Sequence, residues 1–339
     1  MFTDEEAHGL LPAAEARAKN RNWLRWQDMT FWLVIVALAI IGLVVNDSYV
    51  RHILILVLIW ALVAASWDLV LGYAGIFNYA QLVFFAVGAY ASAMFSLYAG
   101  VPALAALGLG TIVGAASGLL IAIPCLRLRG EYVALFTFAV HLALPSVIQQ
   151  GRSIGLGGSA GLLGIPPINL FGNVLGPMNK LGWFFFALTV VSVCVYIIYF
   201  KLLRSKLGHA FVALRDADDF AQSLGVNERR YRLIAFVISA AFTALAGGMY
   251  AHYTSVLTPK ILGTEFFLMV MVMLAIGGMG KYPGAVLGAF IVVTGNELLR
   301  AFDDYRLLIL GITVVLAVLF LPNGVVSLRD RFSRTKVKA

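Results

Sequence analysis

The sequence predicts an all-α integral membrane protein of about ten transmembrane helices, with both termini in the cytoplasm and an amphipathic helix in one cytoplasmic loop. Three observations carry this. Of 339 residues, 61% are hydrophobic and only 12% charged, roughly half the charge of a soluble chain. At a mean hydropathy of +0.90, a globule of this size lacks the polar residues needed to face water. Apolar stretches bounded by charge or by Gly and Pro recur along the chain, at the ~20-residue length of a bilayer crossing. Finally, the basic residues segregate to alternate loops.

The first 30 residues hold Asp4, Glu5, Glu6, Glu15, Arg17, Lys19, Arg21 and Arg25, with no short apolar core before a small-residue cleavage site. A cytoplasmic tail, 1–30, is expected rather than a signal peptide. Crossings follow near 31–46, 53–71, 80–99, 101–125, 131–149, 181–200, 231–253, 265–279, 283–299 and 305–321. The pair around Gly277 to Pro283 can equally be one broken or re-entrant helix. The membrane domain runs over 31–325, and 326–339 forms a basic cytoplasmic tail.

With the N-terminus inside, 19 of the 25 Lys and Arg residues lie in cytoplasmic segments: the two tails, Arg127 and Arg129, the stretch from Lys201 to Arg232, and Lys281. Arg51, Arg152, Lys180, Lys260, Arg300 and Arg306 lie outside. This split supports ten crossings. The net charge of +8 is not a nucleic-acid signal, because such a footprint needs Lys and Arg gathered on one accessible face. Cys125 and Cys194 sit in or at apolar segments without a partner at ligand spacing, so neither a disulfide framework nor a metal site is expected.

Two loops are long. The outer one, 150–180, contains seven Gly or Pro between Gly155 and Pro167 and cannot form a long regular element. The inner one, 201–230, holds an amphipathic helix: Ala210, Ala213, Leu214, Ala217, Ala221 and Leu224 share one face, while Arg215, Asp216, Asp218, Asp219, Gln222 and Ser223 fill the rest. Gly208 precedes it. Gly225 suits a left-handed C-cap, and Asn227 with Glu228 can cap the next helix. The plain reading is a helix lying on headgroups. Its Ala/Leu face and three Asp, which an anionic leaflet would repel, instead favour a groove on another protein.

The run Asp219-Phe220-Ala221-Gln222-Ser223-Leu224-Gly225 resembles the E-A-A-x-x-x-G loop by which permeases of ATP-binding-cassette importers dock their ATPases. Leu126-Arg127-Leu128-Arg129-Gly130-Glu131-Tyr132 resembles the L-R-L-R-G-D-Y turn of branched-chain amino-acid permeases of the LivM type. Gly157-Gly158-Ser159-Ala160-Gly161-Leu162-Leu163-Gly164-Ile165-Pro166 is similar to that family's G-G-P-N-G-L-x-G-I-P loop, and Leu321-Pro322-Asn323-Gly324 to its closing R-P-Q-G. The resemblance runs in order from about residue 50 to 328.

It implies a permease subunit in a bacterial inner membrane. Its partners would be a second homologous permease, two ATPase subunits that bind ATP and Mg, a periplasmic solute-binding protein, and the lipid bilayer. The 201–230 loop would then carry the coupling helix, with Arg215, Asp216, Ala217, Asp218, Asp219, Phe220, Ala221, Leu224 and Gly225 as its contact set. Within that set the Asp residues would meet the ATPase groove, and Ala217, Ala221 and Leu224 would pack into it. The segment from Gly72 to Phe85 is similar to the family's G-Y-A-G-x-x-S-L-G-H-x-x-F-F, but Asn78, Ala80 and Gln81 replace Ser, Gly and His. If it lines the pathway, as the resemblance implies, those departures widen the solute list to other amino acids, amides, urea and aromatic acids.

Polar side chains inside a membrane are functional candidates: here Asp68, Asn78, Gln81, Thr137, His141, Gln149, Asn296 and Glu297. Asp68 can instead reach the interface or pair with Arg127 or Arg129, and Asn296 and Glu297 can pair with Arg300. Gly72, Gly75 and Asn78 break the chain in one place, and Gly277, Gly278, Gly280 and Pro283 in another; such breaks point to a binding region in transporters. The expected pathway set is Gly75, Asn78, Tyr79, Gln81, Phe85, Thr137, His141, Gly277 and Gly278. Gly114-Ala115-Ala116-Ser117-Gly118 reads as a helix-packing surface.

No G-x-x-x-x-G-K-[ST] loop, H-E-x-x-H pair or arranged nucleophile is present, so neither cofactor binding nor catalysis by this chain is expected. The competing reading is a self-sufficient secondary transporter or channel for a small neutral solute such as urea or an amide.

Overall fold

The computed structural model describes residues 28–299 except Arg129 and Phe171, together with 311–312 and 324–326. The expected crossing at 305–321, apart from 311–312, and nearly all of both tails lie outside these residues. The chain divides into two units, Met1–Asn46 and Asp47–Ala339. In the first, the described helix is α1, Asp28–Val44.

The second unit opens with α2, Ser48–Asp68, whose N-cap Asp47 accepts the Tyr49 amide at 2.7 Å. It is apolar all round and buried nearly throughout, the pattern of a helix at the centre of a bundle. A widened π turn, Leu69–Tyr73, carries it into the first break. Next come α3, Gln81–Leu97, and α4, Ala103–Cys125. Helix α5, Glu131–Gln150, packs least: Tyr132, Leu135, Leu142 and Val147 are exposed along it.

The loop after α5 holds short 3₁₀ turns and three strands, β1 (Leu162–Leu163), β2 (Ile168–Leu170) and β3 (Asn173–Leu175), the last two paired antiparallel. The purely helical expectation is corrected here. Gly-rich chain that cannot make a helix still satisfies its backbone groups by local pairing.

Helix α6, Lys180–Tyr196, continues through a π turn over Ile197–Leu202. The expected cytoplasmic helix from Ala210 to Leu224 is two helices, α7 (Lys206–Asp216) and α8 (Asp218–Ser223). Ala217 lies between them at φ −155° and ψ 79°, outside the helical region, and Ser205 rather than a glycine caps α7 through the Leu207 amide at 3.2 Å.

Helix α9, Glu228–Thr254, is capped by Asn227, which accepts the Arg230 amide at 3.1 Å. It ends near β4, Val256–Leu257, which pairs antiparallel with β1. Then follow α10, Thr264–Gly277, and α11, Gly284–Leu298. They form a close pair, since a Cβ on Gly288 would stand 1.8 Å from the Met273 carbonyl oxygen. The 265–299 region is therefore two helices, each about 21–23 Å long at 1.5 Å per residue and shorter than the ~30 Å hydrocarbon layer.

Helices α3, α4 and α9 make the tightest layer. A Cβ added to Gly114 would meet the Ala244 Cβ at 2.0 Å, and one on Gly247 the Phe85 carbonyl oxygen at 2.0 Å. With little hydrophobic drive in lipid, such close approach lets dispersion hold helices together. Among the described residues, five helical segments are long and apolar enough to cross a membrane: 48–73, 103–125, 131–154, 180–202 and 228–254. The protein is a multi-pass membrane protein.

Candidate functional site: two helix breaks and the α7–α8 helix pair

The first break is held from several sides. The Trp67 indole donates to the Asn78 carbonyl at 2.7 Å, and the Asn78 side chain accepts the Ala80 amide at 2.9 Å, the Asx geometry that turns chain into a helix start. The Gln81 amide group donates to Ser239 Oγ at 3.0 Å and to the Thr243 hydroxyl. Ser239 in turn donates to the Ser66 carbonyl at 2.6 Å. The Tyr79 amide donates to Thr137 Oγ1 at 3.0 Å, tying the break to α5. Asn78 and Gln81, where this chain departs from the family pattern, are thus fully buried and partnered within the chain. Phe85 is also inside, stacked on Trp60 at 5.3 Å and 8°.

Beside the break, Tyr79, Phe138, His141 and Phe267 form an aromatic cluster with centroid separations of 5.1–6.2 Å. His141 is 2% exposed, and among the described residues its Nδ1 has no hydrogen-bond partner. A buried ring nitrogen left this way costs free energy, which makes His141 the least satisfied polar group in the cluster.

The second break, Gly277 to Pro283, meets the first at Asp68. That carboxylate is fully buried; it accepts the Gly280 amide at 2.7 Å and the Tyr199 hydroxyl at 3.1 Å. The expected reach of Asp68 to the interface is corrected by this burial, and neither partner is Arg127; Arg129, the other expected partner, lies outside the described residues. A Cβ on Gly72 would fall 2.1 Å from Asp68 Oδ1 and 2.4 Å from the Gly280 nitrogen, so only glycine lets the two breaks touch. Gly278 is approached by Gly324, and the Val325 amide donates to the Ile276 carbonyl at 2.8 Å. The remainder of the closing motif, Leu321 to Asn323, lies outside the described residues.

The helix pair α7–α8 sits on this junction. Arg215 Nη1 donates to the Gly72 carbonyl at 2.7 Å, while its Nε bonds Asp216 at 2.8 Å. Gly75 sits at φ +67°, and a side chain there would stand 2.6 Å from Arg215 Cγ. Ala210, Phe211, Leu214 and Ala221 are buried. The expected placement of Ala221 against a partner is therefore corrected: an amphipathic face can be covered by its own chain as well as by another. Asp216, Ala217 and Asp219 are exposed, as are Phe220 at 66% and Leu224 at 70%. Asp218 bonds Gln222 at 3.0 Å and Arg232 at 3.4 Å. Gly225, at φ +87°, ends α8.

Of the other membrane candidates, Gln149 is exposed, Glu297 accepts the Tyr49 hydroxyl at 3.3 Å, and the Asn296 amide lies 3.7 Å from the Met269 sulfur. Arg300, their expected partner, is outside the described residues. Sequence reasoning missed Ser66, Ser239 and Thr243, and it missed His252, fully buried between Ser92 Oγ at 2.9 Å and the Pro166 carbonyl at 2.7 Å. The available signal was an i,i+4 pair of hydroxyls, Ser239 and Thr243, on an apolar helix.

Residues 49–318 match the family described as branched-chain amino acid transport system / permease component. The high-affinity branched-chain amino acid transport system permease protein LivM of Escherichia coli K12 is 32% identical over 282 residues, covering 77% of this chain and 64% of that protein. LivH of Salmonella typhimurium, the permease protein of the same named system, is 24% identical over 300 residues, 78% of this chain and 90% of its own. The probable branched-chain amino acid transport permease protein LivM of Methanocaldococcus jannaschii is 23% identical over 234 residues, 64% and 66% respectively. The chain thus spans 64% of the length of the Escherichia coli LivM protein. No solved structure matches it.

Proposed function

The chain belongs to the branched-chain amino acid transport permease family, and from that premise we propose that it is the permease subunit of an ATP-driven importer in a bacterial inner membrane. Its solute is small and zwitterionic or neutral, of the branched-chain or a related amino-acid class, and it moves by alternating access. The single observation that supports this reading most directly is the α7–α8 pair. It presents exposed Phe220 and Leu224 beside Asp216 and Asp219 on one side, and on the other it is hydrogen-bonded through Arg215 to a helix break.

In this reading both termini and α7–α8 are cytoplasmic, and the 150–180 loop faces a periplasmic binding protein. A second homologous permease completes the path, as the existence of both LivM and LivH relatives suggests. Two ATPase subunits bind ATP and Mg and supply the driving force; this chain binds neither. ATPase closure displaces α7–α8, and the displacement reaches the breaks that flank Asp68. In this reading Tyr79, Thr137, Phe138, His141 and Phe267, which cluster beside the first break, line the path. A site of apolar rings with few charges holds solute weakly, as conduction requires.

The test is gentle purification of the chain from its native membrane and mass spectrometry of whatever remains bound. Two ATPase subunits and a second permease are the expected companions. The chain recovered alone and active in liposomes without ATP would replace this reading with a secondary transporter.

A further inference from the structure

Four groups from three distant parts of the sequence meet at one point. Asp68 closes α2, the Gly72 carbonyl belongs to the first break, the Gly280 amide to the second, and the Arg215 guanidinium to the end of α7. The Arg215 head lies 2.7 Å from the Gly72 oxygen, and its Nη1 is 3.0 Å from where a Cβ on Gly280 would be. Its stem leaves no room for a side chain on Gly75. Asp68 accepts the Gly280 amide at 2.7 Å across the gap that Gly72 leaves open. Charge-assisted hydrogen bonds of this length are the strong ones. Arg215 is exposed along with its neighbours Asp216 and Ala217, yet one end of its guanidinium reaches onto its own chain at the Gly72 carbonyl.

We infer that Arg215 and Asp68 are positioning residues that act in series. Arg215 fastens the α7–α8 pair to the first break, and Asp68 fastens the first break to the second, so that one displacement of the helix pair moves both. The inference rests on the permease reading and adds to it the two side chains through which the motion passes. In this role both act through the backbone groups they hold, Gly72 and Gly280. Cutting the first link should silence both breaks; cutting the second should silence only the far one.

Phe77 and Met279, at 55% and 51% exposure, report on the first and second break. Single Phe77→Cys and Met279→Cys variants of the full chain, purified with its ATPases in nanodiscs, would be labelled with a soluble maleimide, with and without ATP plus vanadate. In the otherwise unaltered protein both labelling rates should respond to nucleotide. Arg215→Gln should retain its ATPases and lose the response at both positions. Asp68→Ala should lose it at Met279 and keep it at Phe77, and Asp68→Asn, which keeps an acceptor for the Gly280 amide, should restore it. If Arg215→Gln does not assemble, Arg215→Lys is the second variant, expected to weaken both responses together.

A merely structural role would instead lower both responses equally in every variant, or release the ATPases. A full response in Arg215→Gln, equal effects of Asp68→Ala at the two positions, or labelling indifferent to nucleotide in the unaltered protein would each overturn the inference. Absence of ATPases from the unaltered preparation would overturn the permease reading itself, a separate outcome.

Discussion

His252 and Pro166 are joined by a 2.7 Å hydrogen bond between Nδ1 of the ring and the carbonyl of the Gly/Pro-rich loop. Because a carbonyl only accepts, Nδ1 carries a proton, and Nε2 bonds the Ser92 hydroxyl at 2.9 Å. One imidazole thus ties α3, α9 and the loop together.

Replacing His252 with Leu leaves the Ser92 hydroxyl and the Pro166 carbonyl without this partner. Each such buried loss costs about 1–3 kcal/mol. Thermal unfolding in detergent should show a clear fall in Tm for His252→Leu and a smaller one for His252→Gln, which can restore one bond.

Tyr90 lines an apolar cavity of about 240 Å³ with Ala86, Met94, Val113, Leu144 and Ile148, and its hydroxyl has no partner among the described residues. Tyr90→Phe removes a buried polar atom that has no hydrogen-bond partner among the described residues. The variant should be at least as stable as the parent, by about 1 kcal/mol; a lower Tm would show that the hydroxyl has a partner in the membrane-embedded protein.

Gly72→Ala places a methyl 2.1 Å from Asp68 Oδ1 and separates it from the Gly280 amide. In the importer proposed above, uptake of a radiolabelled branched-chain amino acid should be lost. Gly108→Ala, on an exposed face of α4 with nothing within 4 Å of the new carbon, is the matched control and should transport normally.

Phe220→Asp and Leu224→Arg alter only exposed apolar side chains of the α7–α8 pair. Both should insert and fold normally yet fail to retain ATPase subunits on a column. Ala221→Arg forces a charge into a buried position and should lower Tm as well, so the two kinds of failure can be separated by unfolding measurements.

The long helices were legible because a run of apolar residues of bilayer length has few alternatives. The caps at Asn227 and Gly225 were legible for the same local reason. What escaped depends on distant partners. Asp68 lies one turn from a helix end and reads as a residue reaching water; its burial comes from Gly280, 212 positions away. Ala217 fits a continuous helix by composition, and only its φ of −155° reveals two. Ala221 shows why an amphipathic face does not name its occupant: the same spacing that predicts a docking surface is satisfied inside the chain. Strands of two or three residues leave too short a pattern to read.

The close contacts among α3, α4 and α9 also divide the molecule mechanically. Where Gly88, Gly114, Gly118 and Gly247 bring backbone within reach of neighbouring backbone or Ala, no side chain is left to rotate or yield, and sliding would have to open every such contact at once. That slab is the part of the fold with the least room to slide. Helix α5, whose exposed Tyr132, Leu135 and Leu142 pack on little of their own chain, is joined to the first break instead through side chains, Thr137 and the ring cluster.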